Sequence, residues 1–351
     1  MSARPELFAV VTTIQPPTPA VRELQRRLAQ VGGRLVVAGD QKGPAAFDLP
    51  ECDFLDLAAQ RASGFALARA LPTGHYARKN VGYLHAIRAG AACIYETDDD
   101  NAPLATWAPR AETVAAPRRV AGAGWVNVYR HFTDDPRIWP RGFPLARASA
   151  PAASCGAPGP AVRSPIQQGL VNGSPDVDAV WRLVQDRPFD FDARPSVWLG
   201  AGQWCPFNTQ STWWWPVAFP LLYVPSHCAF RMCDIWKSFV AQRCLWALGA
   251  GVAFHAPEVV QDRNPHDYRR DFADEVPGYL HNARIAEILA GLFLAPGAAA
   301  VRELPASTAK ARDVDIDRVK RLIERNKLSG HEAMYYSPVE SEENDHEQTV
   351  P

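Results

Sequence analysis

The stretch Ala91-Ala92-Cys93-Ile94-Tyr95-Glu96-Thr97-Asp98-Asp99-Asp100-Asn101 runs from apolar residues straight into three carboxylates. Its apolar part, with Ile94 and Tyr95, predicts a buried strand. Three adjacent aspartates repel one another at the end of that strand. A divalent cation such as Mg2+ or Mn2+ relieves the repulsion, because it takes oxygen ligands and leaves positions open for phosphates. Alternation along an extended chain puts Asp98 and Asp100 on one side and Asp99 on the other. Asp99 is then the aspartate expected to tolerate change best. A bare Asp-Asp-Asp is more often a solvated acidic turn, so its neighbours decide the reading.

Upstream, Tyr76-Ala77-Arg78-Lys79-Asn80-Val81-Gly82-Tyr83 opens an amphipathic helix over residues 77–89. Val81, Leu84 and Ile87 form its apolar face and Gly90 ends it. Backbone N–H groups at a helix start attract phosphate, and Arg78 and Lys79 add charge there. Taken alone, an Arg-Lys pair is usually a solvated face. Further back, residues 7–12 read as a strand. Thr18 is an N-cap with Pro19 at the first helical position, and Val21, Leu24, Leu28 and Val31 recur at helical spacing before Gly32-Gly33. Residues 34–38 are a second strand ending at Gly39-Asp40. Strand, helix, strand with short connections predicts a parallel sheet with a right-handed crossover. Thr12-Thr13, Asp40 and the three aspartates all fall at carboxyl ends of strands, where open α/β sheets bind ligands.

Beyond Asn101 the pattern is looser. Residues 125–129, 221–224 and 252–255 read as strands, and 178–185, 234–248, 280–294 and 317–327 as helices. The Ala/Pro/Ser-rich stretch 146–165 reads as an irregular loop. A net charge of −1 over 351 residues leaves no footprint for nucleic acid. The aromatic run 213–223 is too short to span a bilayer and is broken by Pro216 and Pro220, so no transmembrane segment is expected. No signal-peptide region opens the sequence, and the seven cysteines are scattered and odd in number. A cytoplasmic protein with free thiols is expected.

Several of these stretches together resemble the STELLO-type glycosyltransferase-like proteins, within the GT-A superfamily. They are Val11-Thr12-Thr13-Ile14, Tyr76 to Leu84, Asp98-Asp99-Asp100-Asn101, Trp139-Pro140-Arg141-Gly142-Phe143-Pro144-Leu145 and Asp234-Ile235-Trp236. A weaker likeness runs to the reversibly glycosylated polypeptides, the UDP-arabinopyranose mutases, which share an Asp-Asp-Asp strand end. The resemblance covers roughly residues 7–290. It implies an α/β, GT-A-like fold with a mostly parallel, Rossmann-like central sheet flanked by helices. The implied organisation is a single domain over 1–328, with a nucleotide-sugar-binding half (1–101), an acceptor-side half (102–295) and a C-terminal helical extension (296–328). An acidic disordered tail would follow over 329–351.

The implied activity is metal-dependent transfer of a sugar from a nucleotide-diphosphate donor, with UDP expected, to a carbohydrate or glycoconjugate acceptor. Asp98, of an Asp-x-Asp pair, would touch ribose or metal-bound water, and Asp100 would coordinate Mn2+ or Mg2+. Thr12 and Asp40 would hold base and ribose. Arg78 would face the diphosphate, with Asn80 beside it in the same motif. Asp234 is a candidate general base for the acceptor hydroxyl and equally a helix N-cap. His266 is a candidate further metal ligand and Arg141 a candidate phosphate ligand. Trp204 and Trp213 to Trp215 either stack on sugar or fill the core. A sugar-nucleotide mutase and a non-catalytic nucleotide-sugar-binding protein are the competing readings, and a homo-oligomer is left open.

Overall fold

The computed structural model describes residues 6–292, Pro265 excepted. The helix expected at 317–327, the 296–328 extension and the 329–351 tail lie outside the described residues.

The first half forms as its sequence periods dictate. Strand β1 (Leu7–Thr13) leads into helix α1 (Pro19–Gln30), which Thr18 caps by accepting the Val21 N–H at 3.1 Å. Val21, Leu24 and Leu28 are its buried stripe. Strands β2 (Arg34–Gly39) and β3 (Cys52–Leu55) follow. A single 3-10 turn, Tyr76–Arg78, then starts helix α2 (Lys79–Arg88), and β4 (Cys93–Thr97) ends at the aspartates. These strands run in the order β3-β2-β1-β4, all parallel. Gly82 lets α2 lie close on the sheet: a Cβ there would meet the Val10 side chain at 2.7 Å. Gly82→Ala is therefore expected to lower stability by about 1–3 kcal/mol through overpacking, read as a drop in the denaturation midpoint at unchanged slope.

The second half continues the same sheet with mixed direction. Its main elements are β5 (Ile166–Asn172), β6 (Val197–Leu199), β7 (Ser211–Trp214), helix α3 (Cys233–Ala247), β8 (Val252–Gln261) and helix α4 (Tyr268–Gly291). The strand order runs on from β4 as β7-β5-β8-β6, with β7 antiparallel to both neighbours and β5 parallel to β8. Short strands at Arg118–Val120, Cys155–Pro158 and Asn101–Pro103 bring the sheet to eleven among the described residues. The fold is the mixed α/β, GT-A-like class with a mainly parallel central sheet: the first four strands are all parallel, and β5 with β8 and β6 with Arg118–Val120 add further parallel pairs.

Some local expectations fail for identifiable reasons. Residues 221–224 are not a strand: the chain winds as a 3-10 helix over Pro216–Leu222, where two prolines lack the N–H that a ladder needs. Of the 125–129 run only Trp125 lies in a strand, the short Gly124–Trp125, and Val128–His131 is helical. The loop at 146–165 carries two short strands, Cys155–Pro158 and Val162–Arg163. Helix α4 begins well before residue 280, at a side-chain cap from Asp267 to Arg269 and Arg270.

The tryptophans belong to the core. Trp213 and Trp214 are fully buried on opposite faces of β7 and Trp215 nearly so, while Trp204 packs at 4.4 Å on Trp246. Each buried indole on β7 donates to a buried glutamate, Trp213 to Glu258 at 2.6 Å and Trp214 to Glu96 at 2.8 Å. Arg110 neutralises Glu258 (2.6 Å), and Lys237 of α3 neutralises Glu96 at 3.0 Å to both oxygens. The seven cysteines carry free thiols. Among the described residues, no helix is long and apolar enough to cross a membrane.

Candidate functional site

The aspartates stand in a turn rather than on an extended strand: β4 stops at Thr97 and the chain folds over at Asp99 and Asp100. Alternation therefore does not sort the three side chains. Each is held by a different piece of the fold. Asp98 Oδ1 accepts from the Tyr76 hydroxyl at 2.6 Å and from Lys79 Nζ at 3.0 Å. Asp99 accepts from the Thr13 hydroxyl through its carboxylate and from the Thr18 hydroxyl through its carbonyl. Asp100 Oδ2 accepts from Gln261 Nε2 at 2.9 Å, while its Oδ1 is buried without a partner. Asp99 is thus the tie between the turn and β1, which removes the ground for expecting it to be the most tolerant of the three.

The electrostatics follow from that packing. Burial pushes the Asp100 carboxyl up to about 7, and Asp98 and Asp99 add repulsion. Burial also raises Asp99, against the opposing hydrogen bond from Thr13. The Tyr76 hydroxyl is held far above its ordinary value by burial and by Asp98, so it stays protonated and donates to that carboxylate. It can then accept from Lys79 at 2.7 Å and from Thr209 at 2.5 Å. Lys79 is fully buried and also donates to the Thr97 carbonyl at 2.6 Å.

In the sequence Arg78 and Lys79 are alike charges at the helix start, and the family resemblance assigns the diphosphate to Arg78. Nothing in the residue types says which of the two buried neighbours faces the turn, and Tyr76 carries no signal of its own.

Arg78 does not face the turn. Its guanidinium is buried, donating to Gln60 Oε1 at 2.8 Å and to the carbonyls of Ala68 (2.9 Å) and Leu71 (3.1 Å). It clasps the segment between β3 and the 3-10 turn. Asn80 is also taken up by the backbone, donating to the Val224 carbonyl and accepting the Val224 N–H, both at 2.8 Å. That pair pins the second half to the start of α2. Thr12 donates to the Ala38 carbonyl at 2.8 Å. Asp40 accepts the N–H groups of His75 at 2.9 Å and Gln41 at 2.7 Å, which orients the His75–Tyr76 corner.

The acceptor-side candidates are not free groups either. Arg141 donates to Asp176 (2.7 and 2.9 Å) and to both oxygens of Asp234 (3.0 and 2.7 Å), and reaches the Arg231 carbonyl. Asp234 is buried and also accepts its own helix N–H from Ile235 at 3.0 Å. A carboxylate clamped in this way cannot turn to a substrate hydroxyl, and a guanidinium shared by two carboxylates has no fork left for phosphate. Burial pushes Asp176 up, but Arg141 more than offsets it and leaves its carboxyl below the ordinary range. The expected base and phosphate ligand are therefore a buried charge cluster that fixes the start of α3.

His266 pairs with Asp271 at 3.0 Å, in a cluster with Arg263. Among the described residues, no group of three or more His, Cys, Asp or Glu is placed to hold a metal by side chains alone. His266 is thus not gathered with Asp98 and Asp100.

Comparison with known proteins adds a family. Residues 231–297 match the family model described as STELLO glycosyltransferases. The chain is 30% identical over 321 residues to "Probable glycosyltransferase STELLO2" of Arabidopsis thaliana, covering 82% of this chain and 40% of that protein. It is 30% identical over 281 residues to "Probable glycosyltransferase STELLO1" of the same plant, covering 72% of this chain and 35% of the relative. The chain therefore spans well under half the length of either relative.

Proposed function

The chain belongs to the STELLO-type family of glycosyltransferase-like proteins, and from that premise we propose that it transfers a sugar from a nucleotide diphosphate, with UDP the expected nucleotide, at the aspartate turn. The observation that carries the reading is Asp100, a half-buried carboxylate with one oxygen unpartnered and two like charges beside it. Such a group is costly unless a cation comes to it. Two neighbouring carboxylates suit Mg2+ or Mn2+, which bind through one or two carboxylates and complete their shell with phosphate and water. Asp98 and Asp100 would hold the ion, which when bound supplies positive charge to the departing diphosphate.

The chain's own residues do the positioning. Lys79 and Tyr76 fix one oxygen of Asp98, so the other faces the ligand in a set orientation. Thr13 and Gln261 fix the flanking aspartates from β1 and from the end of β8. Thr12 and Asp40, at the neighbouring strand ends, are proposed to border base and ribose. The acceptor is proposed to be a carbohydrate or glycoconjugate.

The test is a thermal-shift series of UDP and UDP-sugars with and without Mn2+. A ligand at a hundred times its dissociation constant adds about 2.7 kcal/mol to the folded state, so a clear rise in the melting temperature is expected only when metal and diphosphate are both present. An unchanged melting temperature with every nucleotide would remove the reading. Release of UDP on turnover separates transfer from mutase and from binding alone.

A further inference from the structure

Beside Tyr76, whose hydroxyl holds Asp98, the second half of the chain presents an exposed aromatic ring. Phe230 is 51% exposed, yet the backbone that carries it is firmly anchored. It opens the 3-10 turn Phe230–Met232 that leads into α3. Arg141 reaches the Arg231 carbonyl and clasps Asp234. Arg231 itself donates to the buried Glu275 at 2.8 and 3.0 Å, and the Cys233 thiol donates to the Phe230 carbonyl at 3.1 Å. The charge cluster that disqualifies Arg141 and Asp234 as reacting groups is what holds this ring in place.

The ring is close to perpendicular to those of His75 (6.0 Å, 71°) and Tyr76 (6.1 Å, 79°), both from the first half. Tyr76 is the residue whose hydroxyl sits on Asp98, so the ring is tied to the Asp98 side of the aspartate turn. His75 adds a directed donor. The Ala77 N–H donates to His75 Nδ1 at 3.0 Å, so in the neutral imidazole the proton is on Nε2. Among the described residues, no hydrogen bond is made to that Nε2. A half-exposed aromatic ring with an N–H beside it matches a pyranose or furanose ring, which offers an apolar C–H face and hydroxyl acceptors.

We propose that Phe230 and His75 form the subsite for the glycosyl ring of the nucleotide-sugar, Phe230 under its C–H face and His75 Nε2–H on a hydroxyl. The proposal rests on the reading of the aspartate turn as the metal–diphosphate site. It makes Phe230 a specificity determinant supplied by the second half to a donor site built by the first.

The test is calorimetric titration of the whole chain, with Mn2+ present, by UDP and by a panel of UDP-hexoses and UDP-pentoses. The wild type is compared with Phe230→Ala and Phe230→Trp. The wild type should bind at least one UDP-sugar more tightly than UDP. Phe230→Ala should weaken that UDP-sugar about tenfold and leave UDP within about twofold, and Phe230→Trp should restore most of the loss. Three results overturn the proposal: no sugar adding affinity over UDP in the wild type, a sugar increment that survives Phe230→Ala, or equal weakening of UDP and UDP-sugar. The last would assign the ring to the nucleobase. A wild type that binds neither UDP nor any UDP-sugar would instead remove the proposed function itself, and the subsite with it.

Discussion

Asp100→Asn is expected to make the ligand-free protein more stable while abolishing its response to Mn2+ and nucleotide. The Asp100 carboxyl titrates at about 7 in the folded chain against an ordinary 3.8, because burial and the charges of Asp98 and Asp99 oppose its ionisation. A raised acid binds its proton more tightly folded than unfolded. Its contribution is therefore intact below the ordinary value, and stability falls as pH rises toward the folded value. Every tenfold difference in proton affinity between the folded and unfolded chain is worth about 1.4 kcal/mol. Above about pH 7 the ionised group therefore costs roughly 2–4 kcal/mol once partial solvent access is allowed for. Asparagine keeps an acceptor for Gln261 and carries no charge. The variant should therefore gain in urea midpoint at pH 8 and gain nothing at pH 4. Its melting temperature should be indifferent to Mn2+ with UDP. A variant as unstable at pH 8 as the wild type would mean that Asp100 is not the strained group of the turn. A preserved metal response would mean that it is not a ligand.

That trade, stability given up where a ligand must arrive, is the usual mark of a functional site. It also explains which parts of the molecule were legible in the sequence. The βαβ unit could be read because its signals are local: the Thr18 cap, the stripe at Val21, Leu24 and Leu28, and the apolar run into the aspartates. The choice between Arg78 and Lys79 could not, because it is made by partners distant in sequence. Gln60 and the carbonyls of Ala68 and Leu71 draw Arg78 away, while Thr97 and Asp98 receive Lys79. Arg141 and Asp234, likewise, look like reacting groups from their types and are absorbed by each other across 93 positions. A polar residue's role depends on whether its partners are protein or ligand, and residue type alone does not carry that information. The tryptophan run shows the same limit in reverse, since an aromatic cluster suited to sugar stacking turns out to be the core between two buried glutamates.

Lys237→Met is expected to be strongly destabilising. Lys237 on α3 sits 3.0 Å from both oxygens of Glu96, and both side chains are essentially inaccessible. Tyr83 and the Trp214 indole complete the shell of that carboxylate. Removing the cation strands a buried negative charge, which costs about 3–5 kcal/mol, whereas replacing both members by neutral residues costs far less. Lys237→Met should therefore lose most of that range in denaturant unfolding, and adding Glu96→Gln should recover much of it. A double-mutant cycle then returns a coupling energy of opposite sign to the single losses. The recovery identifies the cause, because a simple packing defect at residue 237 would survive the neutralisation of Glu96. Glu96 lies two residues before Asp98 on β4, so the single variant should also weaken the metal-dependent thermal shift, and the double variant should bring it back. If the double variant refolded to near wild-type stability without that recovery, the ion pair would be stabilising the sheet and not the turn at its end.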